Sequence, residues 1–148
     1  MPKIVTAVLE DYLETLLLLE KDGKTVRLKE IAEVMQVKAP SALEALEVLH
    51  AGGLVRHEHY GGFELTAKGR QQAKKVYAKH TSIRDFLIRV LGVDEKIADS
   101  DACQIEHCLS SQAVGQIEQF MSFVNNCPKG QPFCLKEFKS GRTRCQCP

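Results

Sequence analysis

Between residues 28 and 66 the hydrophobic period of the chain changes from helical to alternating, and that order constrains the fold more than any single motif. Residues 28–35 (LKEIAEVM) and 41–50 (SALEALEVLH) space their apolar side chains as helices do. Between them Val37-Lys38-Ala39-Pro40-Ser41 is a turn that places proline at a helix start, where its missing N–H leaves no helical bond unmade. Gly52-Gly53 closes the second helix. Residues 54–60 and 63–66 then alternate apolar and polar on either side of Gly61-Gly62, a hairpin signature. Two short helices joined by a tight turn and followed by a hairpin predict a winged helix-turn-helix.

Upstream, Val8, Leu9, Tyr12, Leu13, Leu16, Leu17 and Leu19 predict a first helix over residues 5–20, ended by Asp22-Gly23. Its polar face carries Glu10, Asp11 and Glu14; acids near a helix N-terminus complement the dipole without any further role. Downstream, residues 66–69 begin a long helix through Tyr77 and His80 toward Val90, and Leu91-Gly92-Val93 breaks it. A short helix over residues 94–98 and another over 102–109 are expected next, then one over 114–124. On a helix, Cys103, Glu106 and His107 stand at i, i+3 and i+4 on one face, which is metal-ligand spacing. A buried thiol beside two solvated polar residues would satisfy the same pattern. The expected fold is mostly α, with a winged-helix domain at 1–72, a helical metal-binding and dimerisation domain at 73–124, and a Cys-rich basic tail at 125–148.

Net charge is +1, so total charge does not point to nucleic acid. Residues 1–72 hold 9 Lys/Arg against 11 Asp/Glu, residues 73–124 hold 6 against 7, and residues 125–148 hold 5 against 1. A DNA-binding role must rest on local basic groups or on something that cancels the acidic ones, because phosphate neutralisation supplies most non-specific affinity. No apolar run approaches the roughly 20 residues that span a bilayer, and no secretory signal opens the chain, so a cytoplasmic protein without membrane contact is expected. Four of the six cysteines crowd the last 22 residues, which favours thiolate metal chemistry or redox sensitivity over a disulfide framework.

The stretches LEDYLETLLLL at 9–19, VKAPSALEALEVLHAGGLV at 37–55, LTAKGRQQAKKVYAKH at 65–80 and LGVDEKIADSDACQIEHCLS at 91–110 occur in an order that resembles the metal-dependent repressors of the diphtheria-toxin-repressor and manganese-transport-repressor family. The resemblance covers about residues 4–124, with no counterpart to that family's additional SH3-like domain, and so it is to the shorter, two-domain members. It implies a homodimeric, metal-dependent transcriptional repressor that binds a double-stranded DNA operator. It also implies a metal centre of Asp11, Glu14, His80, Cys103, Glu106 and His107. Asp11, Glu14 and His80 resemble the manganese branch and Cys103 the iron branch, where manganese-type members carry Glu. Thiolate softens the site, so Fe(II) is the expected signal, then Mn(II), then Zn(II), with uptake genes as targets. Arg84 stands where the iron branch has an acidic ligand and Asp99 where it has His, which puts that branch's ancillary site in doubt.

For DNA, Lys38, Pro40, Ser41 and Glu44 are expected at the exposed start of the recognition helix, where the resemblance is strongest at Pro40 and Ser41 and departs at Leu43. Arg56, His57, His59 and Tyr60 on the wing, with Arg27 and Lys29 near the second helix, are candidate phosphate contacts. Cys127, Cys134, Cys145 and Cys147 offer a second metal or redox site, although their spacing fits no standard zinc module. A zinc- or redox-responsive regulator using that tail is an alternative reading. So are a metal-handling protein and a thiol enzyme using Cys103 and His107, although the chain offers neither an oxyanion-hole element nor a Gly-rich loop to support an enzyme.

Overall fold

A computed structural model describes residues 5–20, 24–58, 61–126 and 133–141, with only the backbone at Phe133 and Cys134. They form two compact units, Met1–Tyr77 and Ala78–Pro148.

In the first unit, α1 (Ala7–Leu19) begins at Thr6, whose hydroxyl accepts the Leu9 N–H at 3.4 Å, and buries Tyr12, Leu13 and Leu16. Burial pushes the Tyr12 phenol above its ordinary pKa of 10.0, so the ring stays neutral at physiological pH. The expected pair of short helices is α2 (Leu28–Val34) and α3 (Ala39–Ala51), with Pro40 in the first turn of α3. The turn between them is tightened by Gln36, which has φ 54 although it is not glycine. That left-handed residue is uncommon, and no glycine marks it in the sequence. Ala42, Leu46 and Leu49 of α3 are buried together with Ile31 of α2, and Leu43 packs partly against the same core.

The wing is β1 (Val55–His57) against β2 (Phe63–Leu65), antiparallel, with Val55 opposite Leu65 and His57 opposite Phe63. Val26 extends it: Val26 and Phe63 exchange N–H···O bonds of 2.8 and 2.7 Å. Gly62 permits that approach, because a Cβ there would lie 2.2 Å from the Val26 carbonyl oxygen. At the start of α4 (Ala67–Arg89), the Thr66 hydroxyl accepts the Gly69 N–H at 3.0 Å and donates to the carbonyls of Gly53 and Leu54. Glu20, after α1, ties the unit together: its almost fully buried carboxylate accepts the Leu65 N–H and pairs with Arg70.

In the second unit, α4 ends in a left-handed Gly92 (φ 75), with Gly92 N–H donating to Ile88 at 3.1 Å and Val93 N–H to Leu87 at 3.0 Å. The two short helices expected at 94–98 and 102–109 are one continuous helix, α5 (Glu95–Ile105), which stops before Glu106. Asp94 caps its start by accepting the Lys96 N–H at 3.0 Å, and buried Ala98 and Ala102 continue the apolar stripe across the gap assumed between the two. Helix α6 (Ser111–Asn125) is capped by Ser110 and buries Val114, Met121 and Val124; Phe120 meets Phe86 of α4 edge to face at 6.1 Å. A further helix, α7 (Phe133–Lys139), lies in the Cys-rich tail.

Two glycines in helices should respond oppositely to alanine. A Cβ at Gly69 would fall 1.8 Å from the Leu54 carbonyl oxygen, whereas one at Gly115 meets nothing within 4 Å. Gly69→Ala is expected to lower the unfolding free energy by about 1–3 kcal/mol through overpacking. Gly115→Ala is expected to raise it by about 0.5–1 kcal/mol, the helix preference of alanine over glycine. Urea unfolding followed by circular dichroism measures both.

Candidate metal centre and nucleic-acid interface

Where α5 ends, the chain sets a carboxylate in the least favourable place a helix offers. Glu106 is the C-cap of α5, its N–H bonded to the Ala102 carbonyl at 3.0 Å, and its side chain is fully buried. A negative charge there faces the negative end of the helix dipole and has lost its water. His80 of α4 meets one oxygen, with Nδ1 2.9 Å from Glu106 Oε2. The other oxygen, Oε1, is buried and has no hydrogen-bond partner among the described residues. His107 Nε2 lies 3.4 Å from it, close enough for an ion pair and not aligned as a hydrogen bond. A buried carboxylate with an unsatisfied oxygen between two imidazoles is a mixed N/O donor set suited to a divalent transition-metal ion. These residues therefore fit the cation that the sequence pattern suggested.

Beyond them, His80 Nε2 lies 3.3 Å from Asp99 Oδ1, and the same oxygen is 3.1 Å from Arg84 Nε. Arg84 also pairs with Glu95 and, at 3.7 Å, with Asp85. The structure thus brings His80, Glu106 and His107 together and adds Asp99 and Arg84. A break between helices at 94–98 and 102–109 leaves Asp99 off any helix, so the sequence does not pair it with α4.

The helix expected over residues 102–109 ends earlier, at Ile105. Only Cys103 lies within α5; Glu106, His107 and Cys108 form the turn after it, closed by Cys108 N–H to Ile105 at 2.9 Å. Ser110 must cap α6 only four residues later, so the helix cannot run on to 109. Cys103, one turn before Glu106, and Cys108 are both exposed. Asp11 and Glu14 lie one turn apart on α1, both half-buried beside the buried Tyr12, Leu13 and Thr15.

On the DNA-facing candidates, Lys38 is the N-cap residue of α3, and Lys38, Pro40, Ser41 and Glu44 are all exposed. Arg27 and Lys29 are exposed; the Arg27 N–H is held by Glu30 at 2.9 Å, and Lys29 pairs loosely with Glu33 at 3.8 Å. Arg56 pairs with Glu64 across the wing at 2.8 Å. His57 stacks on Phe63, centroids 4.3 Å apart, and reaches Glu47 of α3 at 3.2 Å. These two wing residues are engaged within the unit, and His57 joins the wing to α3, a structural role the sequence did not indicate. His59, Tyr60, Cys127, Cys145 and Cys147 lie outside the described residues, as does the side chain of Cys134.

The chain matches two family models: the iron dependent repressor N-terminal DNA binding domain over residues 5–63, and the iron dependent repressor metal binding and dimerisation domain over residues 66–135. It is 37% identical over 114 residues to an uncharacterized HTH-type transcriptional regulator of Methanocaldococcus jannaschii, covering 76% of this chain and 91% of that one. To the HTH-type transcriptional regulator MntR of Bacillus subtilis it is 30% identical over 120 residues, 81% of this chain and 84% of that one. Among solved structures it resembles the manganese regulator SloR with a TM-score of 0.70 at 32% identity, covering 81% of this chain and 56% of that one. It resembles IdeR of T. acidophilum with a TM-score of 0.67 at 26% identity, covering 83% and 57%. The chain thus spans little more than half the length of those two solved proteins.

The orphaned oxygen makes Glu106 a stability probe. In excess chelator, Glu106→Gln is expected to unfold at the same or a higher temperature than the parent, since it removes an incompletely paired buried charge worth about 1–3 kcal/mol. With divalent metal the parent should gain stability by ligand linkage and the variant should gain much less. Differential scanning fluorimetry with and without metal checks both arms.

Proposed function

The chain belongs to the iron-dependent repressor family, and from that premise we propose that it represses metal-uptake genes with Fe(II) as its co-repressor, Mn(II) second and Zn(II) third. Family membership makes it a metal-dependent DNA-binding transcription regulator with a dimerisation domain, partnered by operator DNA and a second copy of itself. The observation that carries the metal reading is the buried Glu106 carboxylate, held by His80 on one oxygen and orphaned on the other.

The proposed ligands are Asp11, Glu14, His80, Cys103, Glu106 and His107. Support for Asp11 and Glu14 is the resemblance and their one-turn spacing on α1; support for Cys103 is the resemblance and its exposed thiol in the last turn of α5. Bound there, a divalent cation supplies positive charge that offsets the carboxylates. Without it the acidic side chains repel one another, and residues 1–72 keep a surplus of acids that opposes approach to phosphate. For the switch to work, the ligand set must be better formed in the DNA-competent state, since equal affinity for both states shifts nothing. The preference for Fe(II) rests on Cys103 alone, because the other five donors are oxygen and imidazole. That SloR is described as a manganese regulator makes Mn(II) the second candidate.

On the DNA side, Lys38, Pro40, Ser41 and Glu44 are proposed to face base edges. Arg27, Lys29, Arg56, His57, His59 and Tyr60 are proposed to face phosphates, with Arg56 and His57 positioned by Glu64 and Glu47. The four tail cysteines, Cys127, Cys134, Cys145 and Cys147, are kept as a proposed second metal or redox site. Among the described residues no helix is long and apolar enough to cross a membrane.

Fluorescence anisotropy with promoter fragments of iron and manganese transport operons should show tight binding only with a divalent metal; equal affinity in excess chelator would remove the co-repressor reading. In the same assay Cys103→Glu should move the metal preference toward Mn(II). An unchanged order across Mn(II), Fe(II), Co(II) and Zn(II) would count against the softness argument.

A further inference from the structure

Helices α4 and α5 meet through two matched pairs. His80 and Arg84 are one turn apart on α4, and Glu95 and Asp99 are one turn apart on α5. Asp99 is the shared partner: its Oδ1 lies 3.3 Å from His80 Nε2 and 3.1 Å from Arg84 Nε. Arg84 in turn is held by Glu95, and Asp85 stands within 3.7 Å of it. The guanidinium is therefore a permanent cation in a nest of three carboxylates, at a point where a second metal ion would find no vacant charge.

We propose that Asp99, locked in place by Arg84, is a positioning residue for His80, accepting its Nε2–H so that Nδ1 is the nitrogen turned toward Glu106 and the metal. The inference rests on the metal-centre reading above and extends it outward to a residue that touches no ligand atom of the ion. The physical reason is the direction of the imidazole. His80 Nδ1 faces Glu106 Oε2 at 2.9 Å, so the metal-facing nitrogen is already chosen by geometry. Once Nδ1 gives its lone pair to a metal ion, the ring proton sits on Nε2, and Asp99 is the acceptor at hand. A carboxylate on the far nitrogen fixes the tautomer, stops ring rotation and makes the near nitrogen a better donor. Arg84 keeps Asp99 from turning to solvent, which matters because the Asp99 side chain is 62% exposed and His80 only 12%.

Removing Asp99 tests this without threatening the fold, because the residue is on the surface of α5. Titration of the full chain with Co(II), followed by calorimetry and by the visible spectrum of the ion, gives the affinity. Two-dimensional ¹⁵N–¹H correlation of the imidazole in the Zn(II)-bound chain reports the hydrogen bond made by the His80 Nε2–H. The expected result is about a 10- to 100-fold loss of Co(II) affinity in Asp99→Ala, the usual effect of deleting such an outer partner. The hydrogen-bonded Nε2–H signal of His80 should be lost with it. Asp99→Asn, whose amide oxygen still accepts the Nε2–H, should recover both most of the affinity and that signal. Arg84→Met should give a smaller loss, by freeing Asp99 without deleting it. Asp99→Ala binding Co(II) as tightly as the parent, with the His80 signals unchanged, would overturn the proposal. Failure of the parent chain to bind Co(II) at all would instead remove the metal-centre reading on which it rests.

Discussion

A fully buried carboxylate at the C-terminus of a helix is the constraint around which the second unit is built. Glu106 is opposed by the dipole of α5 and by desolvation, and an isolated charge so placed would cost several kcal/mol. What holds it is a partial answer: an imidazole on Oε2, a more distant imidazole beside Oε1, and no hydrogen bond to complete the second oxygen. An interior seeking stability alone would place an apolar residue there. An incomplete pairing is intelligible in a site that a cation completes, since the energy left unspent by the protein becomes available as metal affinity.

The first unit has the opposite character. Its side chains are tied to one another across the unit: the Glu20 carboxylate accepts the Leu65 N–H on one oxygen and pairs with Arg70 on the other, Thr66 serves both the wing carbonyls and the Gly69 N–H, and Val26 closes the edge of the wing. The recognition helix α3 is therefore presented by a scaffold with little slack, its inner face fixed by Ala42, Leu46 and Leu49 and its outer face leaving Lys38, Pro40, Ser41 and Glu44 to solvent. A reader of DNA gains from such rigidity, because the orientation of the side chains is set before contact. Metal control then has to act on the unit as a body, since the unit offers few loose internal parts to remodel.

How much of this was legible in the sequence depended on whether the signal was periodic. Helices α1, α2, α3 and α4 and the wing followed from apolar spacing, Pro40 and paired glycines, because each element buries one face and ends at a residue that cannot continue it. The second unit was harder. Its helices are short and its buried residues small, so Ala98 and Ala102 left a weak stripe, and α5 was split in two and its end placed four residues late. Of the proposed metal ligands, Glu106 and His107 follow from spacing together with resemblance and His80 from resemblance alone; the contacts of both imidazoles with Glu106 are visible only in the structure. His57 stacked on Phe63 and Glu20 bridging the wing to Arg70 have no local signature, since each depends on partners further along the chain, and the left-handed turn at Gln36 lacks the glycine that would mark it.

The mixed ligand set also bears on why Asp99 and Arg84 differ from the pattern of the iron branch. By resemblance, the iron branch's ancillary site uses an acidic ligand and a His at these two positions. Here one of them is a cation, and the other is already bound to it. Arginine cannot be deprotonated at any physiological pH, so this ion pair persists whether metal is abundant or scarce. It gives His80 a constant outer partner at Nε2.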